Sequence, residues 1–338
     1  MKKNITKYLL LALACLGLQS CLFQEENYFD DSSANRATAD VSRCGELLKG
    51  APNGWVMEYY VGKDYSLGGI TLLCRFDGQR VTMASQMSEA DETVSSLYSV
   101  KSEQATMLSF DTYNYLVHYF GQPQGSMSDD PNGTLGGDYE FIISSASAER
   151  IELKGKKYGN RIVMKALTED QTWKQYLTKI KKVEDDAFFY EYDLLMDGLY
   201  TGQMIRSNYT FIVTYYDEIG KVHQKTVPFM FTADGLRFHE PVTIDGQTMQ
   251  NFVWKNELIS FVCTDEGATG VKLAGVYTAG YQSYDYYPGT YQMDFYRLND
   301  ETGQLEVASQ EVRLLKNEDG KSYWLKGLEY DILVMYDK

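Results

Sequence analysis

The sequence is poor in cysteine, proline and histidine, and it lacks most motifs of catalysis. Its 338 residues include 5 cysteines, 6 prolines and 3 histidines. The histidines, His118, His223 and His239, are far apart in the chain, and no zinc-protease helix motif accompanies them. A nucleophile elbow, a phosphate loop and a dinucleotide fingerprint are also missing. We therefore predict no metal ion, no cofactor and no nucleophilic catalytic residue.

The apolar run near the N-terminus is too short for a membrane span. Residues 8–18 carry no charge and follow Lys2, Lys3 and Lys7. A basic stretch followed by about a dozen apolar residues is typical of a cleaved secretion signal, whereas a spanning helix needs about 20. We predict that residues 1–20 are a signal peptide.

The signal ends in a sequence that resembles the bacterial lipobox. Leu18 stands three places before Cys21, and the small residue Ser20 directly precedes it. Cys15 is the competing candidate, but it lies inside the apolar run. We therefore predict that Cys21 begins the mature protein and carries the acyl chains of a membrane anchor. The alternative is an ordinary secretion signal with a cysteine there by chance.

The charge balance is strongly acidic. The formal net charge is −15, and removal of residues 1–20 takes away three lysines and no acid, which leaves −18. Such a surplus repels phosphate backbones and anionic lipid, so we predict no nucleic-acid partner and assign membrane attachment to the lipid anchor. Three other cysteines remain, Cys44, Cys74 and Cys263. They predict either one disulfide, Cys44–Cys74, or three buried thiols.

The first half of the mature chain alternates apolar and polar residues in short stretches. Residues 21–37 are acidic and aperiodic and predict a tether, and Ala39–Leu48 has helical spacing. From Trp55 to Val61 the period is two, with Glu58 and Tyr60 on the outer face. Seven more strands follow up to residue 166, and Asp77-Gly78 suits a tight hairpin. Residues 38–167 therefore predict a β domain.

A helix separates this domain from a second one. Thr168 and Gln171 have the spacing of a capping box, and Trp173, Tyr176 and Leu177 lie on one helical face. We predict a linking helix within residues 168–186 and a second β domain over residues 187–338. The fold class is therefore mainly β, with two antiparallel β-barrel or β-sandwich domains joined by an α-helix. A similar strand–turn–strand pattern at residues 75–81 and 231–238 indicates either an internal repeat or a chance likeness.

The most distinctive local feature is a segment with six tyrosines within residues 277–291. They are Tyr277, Tyr281, Tyr284, Tyr286, Tyr287 and Tyr291. Aromatic rings beside hydroxyl, amide and carboxylate groups stack on sugars and hold extended peptides. The segment is our candidate binding site for a glycan or peptide ligand. The alternative is a loop folded back over a barrel mouth.

Several segments resemble a domain-of-unknown-function family of Bacteroidota surface lipoproteins. The segments are the acidic residues after Cys21, Phe29–Ser32, Ala51–Trp55, Gly137–Phe141 and Ile151–Lys157. The resemblance covers the first half best. The acidic residues after Cys21 resemble the export signal that sends such lipoproteins to the outer face of the outer membrane; the alternative is an acidic tether. The family resemblance implies proximity to nutrient-uptake systems, with an outer-membrane transporter as partner. It supplies no catalytic residue.

Two classes of function follow from these features. The first is a surface-exposed lipoprotein that acts as a binding or accessory module in outer-membrane nutrient capture. The second is a glycosidase-like hydrolase, because glycoside hydrolysis needs only two suitably spaced carboxylates, and the 47 acidic residues nominate no pair. Convergent, poorly solvated carboxylates in a cleft would favour the hydrolase, and an exposed aromatic shelf would favour binding.

Overall fold

The computed structural model describes residues 32–124, 133–217 and 219–336. These residues form two closed eight-stranded antiparallel barrels, a helix between them and a four-stranded C-terminal sheet. The mainly β prediction is confirmed, and both domains close as barrels. The predicted signal peptide and Cys21 lie outside the described residues.

The first helix, α1, spans Ser33–Lys49 and covers part of barrel 1. It starts before the predicted Ala39, so the end of the predicted tether is helical. The pattern missed these turns because their side chains are exposed, and burial begins only at Cys44 and Leu48. The indole Nε1 of Trp55 donates a 2.8 Å hydrogen bond to the Leu48 carbonyl. Among the described helices, none has the length and apolar content required to cross a membrane.

Barrel 1 contains all eight strands predicted for it. They are β1 (Trp55–Val61), β2 (Gly68–Phe76), β3 (Arg80–Ser85), β4 (Val94–Ser102), β5 (Thr106–Phe110), β6 (Glu140–Ala146), β7 (Arg150–Gly155) and β8 (Arg161–Ala166), with the short helix α2 (Tyr115–His118) after β5. The β8 strand closes the barrel by pairing Ala166 with Trp55. Trp55, Met57 and Tyr59 are fully buried inside. Because an eight-stranded barrel is just wide enough for side chains, barrel 1 is a packed core.

The linking helix, α3, spans Trp173–Asp186 and begins later than predicted. Its cap is Thr172, which forms the capping box with Gln175. The predicted cap, Thr168, belongs to a preceding turn, where the Asn53 side-chain amide donates to two backbone carbonyls. The turn is thereby attached to barrel 1, so the helix starts one turn downstream. The buried face of α3 consists of Leu177, Ile180 and Val183.

Barrel 2 follows directly and has the same up-and-down topology. Its strands are β9 (Glu191–Met196), β10 (Leu199–Ser207), β11 (Thr210–Tyr216), β12 (Val222–Phe231), β13 (Gly235–Ile244), β14 (Gln247–Lys255), β15 (Ser260–Cys263) and β16 (Val271–Val276). The β16 strand closes the barrel on β9, with Val271 opposite Met196. Its interior is rich in fully buried aromatic rings: Tyr192, Phe211, Phe229, Phe231, Phe238 and Phe261. The strand periodicity of the sequence begins at residue 209 and, within this barrel, ends at residue 263, so it does not predict β9, β10 or β16.

The predicted second β domain, residues 187–338, also contains a separate antiparallel sheet. Its strands are β17 (Gly289–Leu298), β18 (Leu305–Lys316), β19 (Ser322–Lys326) and β20 (Ile332–Met335), in that order. The tyrosine segment connects barrel 2 to this sheet.

The suspected repeat is visible in topology but not in the two hairpins. Both barrels are eight-stranded meanders. The pattern at residues 75–81 is the turn between β2 and β3, whereas residues 231–238 form the turn between β12 and β13. Counted from the start of each barrel, these are the second and fourth hairpins. They therefore do not occupy equivalent positions.

The two barrels share a continuous apolar contact. Val56, Leu73 and Ala84, on the outside of barrel 1, belong to the same buried cluster as the core of barrel 2. Every residue of β1 is buried, because its outer face lies against barrel 2. The barrels approach closely at Gly68, where a Cβ atom would stand 2.1 Å from the Tyr209 carbonyl oxygen.

The three described cysteines are free and buried. The disulfide alternative, Cys44–Cys74, is therefore wrong, and the thiol alternative holds. Burial raises the pKa of the Cys74 thiol and raises that of Cys263 to about 11. Both groups are thus protonated and poorly reactive at neutral pH.

We expect the substitution Gly68→Ala to destabilise the fold more than Gly246→Ala. Both glycines have positive φ, +70° and +75°, but a Cβ at Gly246 meets nothing within 4 Å. The backbone strain alone should cost about 1–2 kcal/mol, and the collision at Gly68 should add about 1–3 kcal/mol. Urea unfolding of both variants measures the difference, and equal losses would contradict the close approach.

We also expect Cys44, Cys74 and Cys263 to be unreactive in the folded protein. In a mature chain carrying Cys21→Ser, Ellman's reagent should detect thiols only after denaturant is added, because the folded side chains are buried. Rapid reaction of a thiol without denaturant would show that its burial is incorrect.

Candidate functional site

The first part of the tyrosine segment packs against the end of barrel 2. The Tyr277 and Tyr281 rings stack with centroids 4.5 Å apart. Tyr281 also stacks on Phe188, and Tyr277 meets the edge of Phe189. These contacts fix the start of the segment on the barrel.

The second part packs against one face of the C-terminal sheet. The Tyr284 ring stacks on Tyr323 with centroids 4.6 Å apart, and its hydroxyl donates to the Ser322 carbonyl at 2.6 Å. The Tyr336 hydroxyl donates to that of Tyr281 at 3.2 Å and so joins the two halves of the segment. The segment therefore attaches the sheet to barrel 2.

Four of the six predicted rings remain substantially exposed. They are Tyr277, Tyr286, Tyr287 and Tyr291. Tyr286 is 62% exposed and meets Tyr287 edge to face. The Tyr291 hydroxyl donates to the Tyr287 carbonyl at 2.5 Å. Tyr281 and Tyr284, by contrast, are largely committed to the packing just described. The opposite face of the sheet exposes a separate apolar group: Tyr296, Leu298, Leu305 and Val307.

A second candidate site is a cleft of about 490 Å³ between the two barrels. Its wall from barrel 2 is an irregular part of β13, where the pairing jumps from Arg237–Asn251 to Val242–Met249. The intervening residues bulge, since they oppose only Gln250, whose side-chain amide donates to the Phe238 carbonyl. The bulge directs Arg237, His239, Glu240 and Pro241 towards the cleft.

Glu58 lies at the floor of this cleft and is only 7% exposed. Its carboxylate accepts a hydrogen bond from Lys165 at 2.8 Å and another from Arg237 of barrel 2. A buried carboxylate is stable only with such partners. The ion pair with Arg237 therefore joins the barrels across the cleft.

Beside Glu58, the outer face of barrel 1 carries a second carboxylate, that of Glu152, which two arginines bind. Glu58 and Glu152 both lie opposite Val163, on either side of β8. Glu152 accepts hydrogen bonds from Arg150 at 3.0 Å and from Arg161 at 3.4 Å. The hydrogen bond from Arg150 lowers the pKa of Glu152, so this group is ionised at neutral pH.

The aromatic wall of the cleft is formed around His239. The centroid of the His239 ring lies 4.0 Å from the centroid of the Tyr65 ring and 4.4 Å from that of the Tyr60 ring. Burial lowers the pKa of His239, so its ring is neutral at pH 7. In the sequence, His239-Glu240 is at most half of a metal site, and no metal ion is predicted there. In residues 32–124, 133–217 and 219–336 no group of three or more metal-ligating acidic, histidine or cysteine side chains occurs.

A third cavity, of about 560 Å³, lies between barrel 1 and the start of α3. Its aromatic residue, Trp173, is already engaged. The indole Nε1 donates to the Asn53 carbonyl at 2.7 Å, and the Arg75 guanidinium lies 5.1 Å above the ring. This cavity therefore offers no free stacking surface on Trp173.

Sequence reasoning did not find the inter-barrel cleft. The one local signal was Pro241, because proline inside a strand pattern marks a bulge or an edge. The other contributors are distant in the chain: Glu58 and Arg237 are 179 residues apart. No periodicity encodes such a pairing.

Comparison with known proteins places most of this chain in one family. Residues 25–256 match the sequence model of a domain of unknown function, DUF4302. The chain belongs to this family. Residues 264–338 match the model of a second domain of unknown function, DUF4987. No curated protein matches the chain.

Similarity to solved structures is slight. The structure of a mosquitocidal holotoxin is 7% identical to this chain, with a TM-score of 0.15. The match covers 84% of this chain and 44% of the holotoxin chain. The DNA polymerase III subunit beta sliding clamp of Bartonella birtlesii is 9% identical, with a TM-score of 0.11. This match covers 71% of this chain and 66% of the clamp chain. The chain thus spans less than half of the holotoxin. Scores this low carry no argument about fold or function.

Asp265 supports the strand opposite the bulge and should make stability depend on pH. Burial acts to raise its pKa, but hydrogen bonds from the Asn251 side chain and from the backbone of Gln250 and Asn251 outweigh burial and lower it. The stabilisation is therefore present above the unfolded pKa of about 3.9 and is lost as the pH falls through the folded value.

We expect Asp265→Asn to lower the free energy of unfolding at pH 7 by about 2 kcal/mol, because hydrogen bonds to a charged acceptor are lost. The difference between wild type and variant should shrink below about pH 4. Urea unfolding across this pH range measures it. A difference that stays constant with pH would contradict the assigned role of the carboxylate.

Proposed function

We propose that this protein is a surface lipoprotein that binds a glycan or peptide as a module of outer-membrane nutrient capture. The observation that carries the proposal is the group of exposed tyrosine rings on one anchored segment. Tyr286, Tyr287 and Tyr291 contact one another through ring edges and a hydrogen bond. They therefore offer aromatic faces beside hydroxyl groups, which is the chemistry that sugars and extended peptides require.

The anchoring of the segment supports binding. The rings on either side are held by stacking, as with Tyr281 on Phe188 and Tyr284 on Tyr323. A surface fixed before the ligand arrives loses less conformational entropy when the ligand binds. Phe188 and Phe189, just before barrel 2, hold the start of the segment, and the interiors of both barrels are filled with side chains.

The alternative, a carboxylate-dependent hydrolase, has weaker support in the inter-barrel cleft. A glycosidase needs one carboxyl group with a raised pKa, which acts as the acid. Glu152 has a lowered pKa, and Glu58 is bound by two cations. Both carboxylates therefore serve as partners of arginine and lysine.

The proposed location follows from the sequence of the N-terminus. Cys21 would carry the lipid anchor, and the acidic residues after it resemble the export signal of Bacteroidota surface lipoproteins. The chain belongs to a domain-of-unknown-function family, DUF4302, and the location rests on the N-terminal sequence alone. An outer-membrane transporter is the partner that such a location favours.

The test uses the mature chain, residues 21–338 with Cys21→Ser, on glycan and peptide arrays. We expect retention of a ligand whose mass does not change. The double variant Tyr286→Ala/Tyr291→Ala should bind it about tenfold more weakly, because each aromatic contact contributes about 0.5–1.5 kcal/mol. Tyr200→Ala is the matched control, since Tyr200 is 58% exposed on barrel 2, away from the segment.

Two results would overturn the proposal. Turnover of the retained ligand would identify an enzyme. Equal loss of binding in the Tyr200 control would show that exposed tyrosines contribute nonspecifically.

A further inference from the structure

The inter-barrel cleft concentrates positive charge in an acidic chain. Three arginines line it, Arg150, Arg161 and Arg237, and their partners are Glu58 in the lining and Glu152 beside it. Lys165 also pairs with Glu58, from outside the lining. Glu240 lies exposed at the rim. The net charge of the whole chain is −15, so this local surplus of cations runs against the general balance.

The guanidinium groups are incompletely used by these carboxylates. Within the part of the chain that the structure describes, the Arg161 guanidinium reaches one acceptor, at the long distance of 3.4 Å. The Nε of Arg237 is buried and has no hydrogen-bond partner among the described residues. A guanidinium has five N–H donors, and a carboxylate can pair with two of them at once.

The shape of the cleft suits a small molecule. Its volume of about 490 Å³ lies within the usual range of ligand pockets. Apolar surface from Val163 and Pro241 and the rings of Tyr60 and His239 lie beside the arginines. A ligand with one charged group and a compact apolar or sugar-like body would contact both kinds of surface.

The backbone around the cleft is held in costly conformations. Asp64 and Tyr65, consecutive residues in the loop after β1, have φ of +52° and +58°. Each left-handed residue other than glycine costs about 1–3 kcal/mol, and such residues cluster at binding sites. The ring of Tyr65 is thereby placed against His239, within the bulge. Bulges in strands are likewise frequent beside functional sites.

We propose that the inter-barrel cleft binds a small molecule through a carboxylate group, with Arg150 and Arg161 holding the carboxylate. The site is separate from the tyrosine segment and does not depend on the function proposed for it. The carboxylate of the ligand inserts between the two guanidinium groups and replaces part of their hydrogen bonding to Glu152. The body of the ligand lies against Tyr60 and His239.

The test is isothermal titration of the mature chain with two carboxylates, D-galacturonate and L-glutamate, and with their neutral counterparts, D-galactose and L-glutamine. We expect saturable binding of at least one carboxylate and none of its neutral counterpart. The two arms distinguish an acidic sugar from an acidic amino acid. Binding should weaken as salt is added, because the contact is ionic and partly exposed.

Two arginine variants locate the binding. Arg161→Ala should weaken it about tenfold, the loss expected for a charge-assisted contact. Arg297→Ala should leave it unchanged. The two side chains are matched, at 64% and 65% exposed, and each pairs with one glutamate, but Arg297 lies on the C-terminal sheet. The variant Tyr286→Ala/Tyr291→Ala should also bind the carboxylate normally, which separates this site from the tyrosine segment.

Three results would overturn the proposal. These are no saturable binding of either carboxylate at millimolar concentration, equal affinity for the neutral counterpart, and wild-type affinity in Arg161→Ala. Circular dichroism of that variant confirms that any loss occurs in a folded protein.

Discussion

The arrangement of the two barrels depends on the ion pairs of the Glu58 carboxylate. This carboxylate is buried between the barrels and bound by Lys165 from its own barrel and Arg237 from the other. A buried charge is tolerated only when its partners hold it closely, so the barrels must keep the position that brings Arg237 to Glu58. Because Arg237 begins the bulge in β13, the same pairing sets where His239 and the aromatic wall stand.

The barrels themselves act as scaffolds. In barrel 1 the Trp55 and Tyr59 side chains occupy the interior, and in barrel 2 Phe211 and Phe229 stack there at 4.4 Å. The surfaces available for recognition are therefore outside the barrels, at their junction and on the segment beyond β16. Polar and aromatic side chains at these places belong to loops, bulges and strand ends, which rigid strands position.

Sequence reasoning was accurate where the pattern is local and weaker where it is not. The alternation of β1 and the Asp77-Gly78 turn identified the strands of barrel 1. Strands β10 and β16 were not predicted because Gly202 and Gly275 interrupt their alternating patterns. Gly275 is required by packing, since a Cβ there would stand 2.6 Å from the Phe189 ring. The tyrosine segment was visible from composition, but its division between packing and exposure depends on Phe188 and Tyr323, which are distant in the chain.

The closure of barrel 2 also has a consequence for how the chain folds. The strand β9 finds its second partner only when β16 is available, and Met196 pairs with Val271. The DUF4302 match ends at residue 256, before β15 and β16. A chain cut there would leave β9 and β14 with open edges, which are prone to pair with other chains. Closure is nonlocal in both barrels, through Trp55 and Ala166 in barrel 1 and through Met196 and Val271 in barrel 2, so neither barrel can close before its last strand is available.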